Sequence, residues 1–138
     1  MACMLEIGID SSYEKTRVGR VLMPGRPCPV SYLLVTVKSR EFQRGTLAEM
    51  RGDHESSIHH FLAAAHLELV LASDYEEVGD SDLALRSRLS AASCFWRAGQ
   101  PERARSLIDQ LSQSDPSRSR MIQKVLEDLE GSASVPTP

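Results

Sequence analysis

From Lys38 onward, apolar residues recur every three or four positions, and short breaks containing Gly or Pro divide the pattern into five runs. That spacing predicts helices with one buried face. The first run, Lys38 to Arg51, stops at Gly52-Asp53, where Asp53 is placed to accept hydrogen bonds from the free amides of the next helix. The second carries Ile58, Phe61, Leu62, Ala65 and Leu69 on one face and continues to about Val78. Gly79-Asp80-Ser81-Asp82 then breaks the chain and recaps it, with Asp80 or Asp82 as the cap. In the third run, Leu83 to Ala98, two stripes stand out: Leu85, Leu89, Ala92 and Trp96 on one, Ala84, Ala91 and Phe95 on the other. Two apolar stripes predict a helix sandwiched between neighbours. Gly99-Gln100-Pro101 ends that run, and Pro101 opens the fourth at a position where a first helical turn tolerates proline. The fourth is amphipathic through Ala104, Leu107, Ile108 and Leu111. After Ser114-Asp115-Pro116, a closing helix, Ser117–Glu130, is lined by Met121, Ile122, Val125, Leu126 and Leu129.

The first 37 residues are patterned differently. Leu5, Ile7 and Ile9 alternate with Glu6, Gly8 and Asp10, as in a short strand, and Gly19, Pro24, Gly25, Pro27 and Pro29 then interrupt the chain. The run from Val30 to Val37 is apolar and β-branched, which predicts a strand packed against the helical body. The expected organisation is therefore an arm over 1–37, a helical domain over 38–130 and a small, polar tail over 131–138.

Composition supports an all-α reading. The 138 residues include only three Phe, three Tyr and one Trp, fewer aromatics than a β-sandwich ordinarily uses. The net charge of −3 is too mild to predict nucleic-acid binding. It also averages two unlike parts: residues 1–40 carry six basic and three acidic side chains, and the remainder ten and sixteen. No apolar run reaches bilayer-spanning length, so no membrane partner is expected. Met1–Asp10 lacks the basic start and unbroken apolar stretch of a signal peptide. Cys3, Cys28 and Cys94 are odd in number and widely spaced, which fits a reducing cytoplasm better than a disulfide framework or a zinc knuckle. Cys94, beside Phe95 and Trp96 with no neighbouring His, is expected to be a buried inert thiol.

The stretch Leu85–Pro116 resembles a tetratricopeptide repeat. Ala92 stands at the family's small crossing position, Phe95 at its aromatic site, Gly99 at the turn, Ala104 at the small site of the second helix, and Asp115-Pro116 as the closing pair. A weaker second match begins near Lys38, with Gly45 as the small crossing residue, Gly52-Asp53 at the turn, then Ser57, Ile58, Phe61 and Ala64. The turn glycines Gly52 and Gly99 are 47 residues apart, beyond the family's period, because the middle helix is lengthened. The resemblance implies a short antiparallel helical-hairpin stack of about five helices, with about two repeat units over 38–116 and a polar capping helix at the end. It further implies a face, built from the first helix of each unit, that grips an extended peptide or partner helix. Phe42, Thr46, Glu49 and Met50 would line it from the first unit, and Arg86, Leu89, Ser93, Trp96 and Arg97 from the second. The family's Lys/Asn clamp for a terminal carboxylate is missing: Phe42, Thr46, Leu89 and Ser93 occupy its positions.

Other candidate chemistry is sparse. His54, His59, His60 and His66 fall close together, and Glu55 with His59 and His66 could contribute to a metal- or ligand-binding bundle, yet no HExxH pattern exists. Asp74, Glu76, Glu77, Asp80 and Asp82 cluster without the spacing of a calcium loop, so a solvated helix junction is expected. Arg86, Arg88, Arg97, Arg103 and Arg105 form a basic stripe. No catalytic triad order, phosphate loop or paired-carboxylate motif is present, so neither an enzyme nor a cofactor is expected. The reading that follows is a protein–protein interaction module, with metal or ligand binding on the histidine helix and self-association into a homodimer as alternatives.

Overall fold

The structure, a computed structural model, describes residues 29–133. Among them are five α-helices and no strand: α1 (Pro29–Met50), α2 (His54–Glu77), α3 (Ser81–Arg97), α4 (Pro101–Ser114) and α5 (Ser119–Ala133), the last preceded by a 3-10 turn over Pro116–Arg118. The described fold is all-α. Residues 1–28, where the arm is expected, lie outside the described residues.

The first three helices end in the same way. Gly52, Gly79 and Gly99 adopt φ of 75°, 82° and 78°, a left-handed conformation that glycine enters without a Cβ penalty. The residue after each glycine donates its N–H back five positions, Asp53 to Ala48, Asp80 to Tyr75 and Gln100 to Phe95. This closure satisfies carbonyls that a bare helix end would leave unpaired. Two of these following residues then cap the next helix: Asp53 accepts from the Ser56 amide at 3.1 Å and Asp80 from the Leu83 amide at 3.0 Å. At the third, Pro101 needs no N–H partner. Three-residue turns of this kind force successive helices antiparallel, and α2 packs on both α1 and α3, α4 on α3, and α5 on α4.

The core runs along α3, with Ala84, Leu85, Ala91, Ala92 and Phe95 all buried. Both stripes of that helix are covered, as their spacing predicts. Ala64 and Ala65 on α2, Ala104, Ile108 and Leu111 on α4, and Ile122 on α5 complete the cluster. Small residues at these crossings let the helix axes approach. Gly45, also buried, does the same between α1 and α2, where the Phe61 ring lies against it.

The strand expected over Val30–Val37 is not formed: the segment is the first two turns of α1, so the helical domain extends back to Pro29. The cause is the length of α2, whose C-terminal turns would otherwise be covered by α3 on one side alone. Ser31 is buried and donates to Asp74 at 2.8 Å, and Lys38 pairs with Glu68 at 3.1 Å, so α1 is fastened along the overhang. Tertiary packing of this kind outweighs the few tenths of a kcal/mol by which each β-branched residue disfavours a helix (about 0.5 each). At the other end α5 continues past Glu130 to Ala133, shortening the expected tail.

Candidate functional site

Because α1 and α3 both pack on α2, they lie side by side, and a groove of about 420 Å³ opens between them. Lys38, Ser39, Phe42 and Gln43 line it from α1, Ser90, Ser93 and Cys94 from α3, and Glu68 reaches it from α2. One wall is aromatic at Phe42, and three serines and a glutamine bring hydroxyl and amide groups to a surface that is otherwise largely carbon. The hydroxyl of Ser93 donates to the Leu89 carbonyl of its own helix. Among the described residues, the side chains of Ser39, Gln43 and Ser90 have no such bond, and they face the groove free to pair with a ligand.

Glu68 is the unusual member. It is 5% exposed, on the same stripe of α2 as Phe61, Ala64, Ala65 and Ala72. Its Oε1 lies 3.1 Å from the Lys38 ammonium, an ion pair that keeps the buried carboxylate from being an isolated charge. Cys94 lies nearby with its thiol pushed up to about 11, chiefly by burial and secondarily by the Glu68 carboxylate. At neutral pH it is a protonated thiol and a poor nucleophile, as its surroundings in the sequence imply.

The residues assigned to the gripping face divide into four groups. Phe42 and Ser93 line the groove itself. Glu49 and Arg97 close its far end: Arg97 donates to Glu49, and its guanidinium lies 4.2 Å from the Phe61 ring centroid and 5.1 Å from that of Phe42. Phe42 meets Phe61 edge-on at 5.5 Å, so these four side chains form one aromatic and ionic cluster. Leu89 and Trp96 belong to the other flank of α3, half-buried against the core, and the Arg105 guanidinium stands 5.1 Å from the Trp96 ring. Thr46 donates to the Phe42 carbonyl, Met50 is 79% exposed at the end of α1, and Arg86 is exposed with no ion-pair partner among the described residues. Lys38, Ser39, Gln43, Glu68, Ser90 and Cys94 were not anticipated as lining. The signal available for Glu68 was a single acid on an otherwise apolar stripe.

The basic stripe is largely engaged within the fold. Arg88 donates to Glu76 at 2.7 Å, which lowers the Glu76 carboxyl and raises the Arg88 guanidinium. Arg103 covers the Phe95 ring at 4.1 Å, and Arg105 bridges Glu102 and Glu130. The acidic junction is used likewise: Asp74 holds Ser31, Asp80 caps α3, and Asp82 accepts from Arg118.

The histidines do not converge. His54 and His59 are exposed, as is Glu55, while His66 sets its ring edge-to-face with Phe95 at 5.5 Å. His60 Nδ1 lies 2.6 Å from Glu41, and that hydrogen bond is the main reason the Glu41 carboxyl titrates below its ordinary value. Among the described residues, no group of three or more His, Cys, Asp or Glu is placed to hold a metal ion. None of the described helices is long and apolar enough to cross a membrane.

No family model, curated protein or solved structure matches this chain.

Proposed function

We propose that this chain is a protein–protein interaction module of tetratricopeptide-like build that holds a segment of a partner protein in the groove between α1 and α3. The observation that carries this reading is the groove's position. It lies between the first helices of two stacked hairpins, and the side chains of Ser39, Gln43 and Ser90 on its walls make no hydrogen bond among the described residues. An extended segment offers a backbone donor and acceptor at every residue, which suits walls made of Ser39, Gln43 and Ser90. The aromatic ring of Phe42, 37% exposed, supplies an apolar contact at the edge. No catalytic role is assigned: the thiol in the groove, Cys94, is kept protonated by burial. A buried free thiol is also consistent with a reducing, cytoplasmic setting.

Self-association is the second reading, and it is favoured by a different surface. Leu33 and Leu47, fourteen residues apart on α1, are both exposed, as are Tyr32 and Met50. Among the described residues no further helix is stacked on this side of α1, and a second copy would cover such residues.

One substitution separates the two. Ser90→Trp fills the groove from an exposed position without touching the exposed leucines of α1. Proteins retained from the native cell by the full chain and lost by Ser90→Trp, with the circular dichroism unchanged, support groove binding. Identical retention by both overturns it. Light scattering at high concentration reads self-association independently, and a strict monomer overturns the second reading.

A further inference from the structure

The charges inside the groove specify more than a peptide. Lys38 and Glu68 meet there as a neutral pair, and neither is exhausted by the meeting. An ammonium has three donors, and beyond the 3.1 Å ion pair with Glu68 Oε1 no acceptor among the described residues engages them. A carboxylate has two oxygens, and among the described residues no donor other than Lys38 reaches Glu68. The groove therefore presents a donor and an acceptor side by side, one on a carboxylate almost wholly withdrawn from water.

That arrangement discriminates between incoming groups. A carboxylate that approaches Lys38 also meets the Glu68 charge, and an ammonium or guanidinium that approaches Glu68 meets Lys38. Neither gains a net attraction in a site of low dielectric, and each must shed its own hydration to enter. An apolar side chain would cover both charges and leave their spare hydrogen-bonding capacity unmet. A neutral group with an acceptor and a donor on one rigid plane satisfies both partners together. The primary carboxamide of a glutamine or asparagine is such a group: its carbonyl accepts from Lys38 and its NH₂ donates to Glu68. Ser90 and Gln43 on the walls add further polar partners within the same groove.

Resting on the groove reading above, we infer that the α1–α3 groove selects a partner segment by a glutamine or asparagine side chain seated on the Lys38–Glu68 pair. The segment runs between the hydroxyl-rich walls, and its carboxamide reaches the charged pair that a backbone amide, held higher in the groove, does not.

The test is selection of random linear peptides on the immobilised full chain, followed by binding titrations of the recovered sequences and of variants changed at one position. Recovered peptides are expected to share a Gln or Asn. Replacing it by Glu, Lys or Leu should weaken binding about tenfold or more, the size of effect when a buried polar partner is lost. Two protein variants keep the outcome independent of folding. Lys38→Glu with Glu68→Lys retains a donor and an acceptor, so the carboxamide rotates and the preference persists. Lys38→Met with Glu68→Leu removes both, and the preference for Gln over Leu disappears while the helical circular dichroism remains. Peptides that bind in the groove, as shown by loss of binding to Ser90→Trp, but carry an acid, a base or an apolar residue at that position overturn this inference alone. Recovery of no peptide sensitive to Ser90→Trp overturns both it and the groove reading.

Discussion

Gly45→Ala asks whether a helix gains or loses when its poorest former is replaced by its best. On propensity alone the change in the middle of α1 should stabilise by about 1 kcal/mol. The packing opposes it. A Cβ at Gly45 would stand 3.1 Å from each of three ring carbons of Phe61, against roughly 3.5–4.0 Å for relaxed carbon contacts. The ring would have to retreat by about half an ångström, and it has nowhere to go. Phe61 is fully buried, Phe42 meets it edge-on at 5.5 Å and the Arg97 guanidinium covers it at 4.2 Å. Overpacking in such a site costs about 1–3 kcal/mol. The expected net effect is a loss of about 1 kcal/mol, seen as a melting temperature lowered by about 3–6 °C for a domain of this size. Gly131→Ala is the internal control: it too is helical, no atom lies within 4 Å of its would-be Cβ, and it should raise stability by up to about 1 kcal/mol. Thermal unfolding by circular dichroism compares the two directly. A Gly45→Ala protein stabilised as much as Gly131→Ala would refute the claim that Phe61 is immovable. Combining Gly45→Ala with Phe61→Leu should recover part of the loss, because the two sites are in contact and their effects do not add.

Four further outcomes follow from the same geometry. Cys94, with its thiol at about 11, should be alkylated on the folded chain at pH 8 at about one thousandth of the rate of a fully ionised thiol; rapid labelling of the Cys94 peptide, read by mass spectrometry, would contradict its burial. The carboxyls of Glu41, lowered chiefly by its His60 hydrogen bond, and Glu76, lowered chiefly by Arg88, titrate below the ordinary 4.5. Their contributions are therefore present above that value and lost as pH falls through the folded-state value, so melting temperature should drop on acidification and drop less in Glu41→Gln. Asp80→Ala removes the 3.0 Å cap on the Leu83 amide and should cost about 1 kcal/mol in denaturant unfolding; an unchanged midpoint would show the cap to be dispensable. Lys38→Met alone strands the Glu68 carboxylate and should destabilise by about 2 kcal/mol, most of it recovered on adding Glu68→Leu; equal losses from the single and double changes would refute the coupling.

How much of this was legible in the sequence depends on whether the signal was local. Turn chemistry was: Gly52-Asp53, Gly79-Asp80 and Gly99-Gln100-Pro101 each carry the stop and the next start within a few residues, and each helix boundary they define falls within two residues of its expected place. The buried stripes of α3 were legible because both recur at helical spacing. Val30–Val37 was not, since its β-branched composition points to a strand and its helical state is decided by residues such as Glu68 and Asp74, far along the chain. A hint lay in the same data: an α2 running to about Val78 overhangs a first helix that begins at Lys38, and only an earlier start for α1 covers it. Pro29, opening α1, stands where a first helical turn accepts proline.

The lining of the α1–α3 groove was legible only in part, because helical spacing places residues on a side of one helix and not between two. Phe42, Ser93, Glu49 and Arg97 share the α1–α3 seam because that side of each helix faces the other across α2. Leu89 and Trp96 sit one step round α3 and lean toward the core instead. The same logic explains why the basic stripe is a poor guide to a partner's charge. Of its five arginines, four are taken by Glu76, Glu49, Glu102 and Glu130 or by the faces of Phe61, Phe95 and Trp96, leaving Arg86 as the member with neither an ion pair nor a ring contact among the described residues. An anionic partner would thus find little unspent positive charge on this face. What the groove leaves unspent is hydrogen-bonding capacity, on Ser39, Gln43, Ser90, Lys38 and Glu68, so under the proposed reading discrimination there rests on neutral polar groups rather than on net charge.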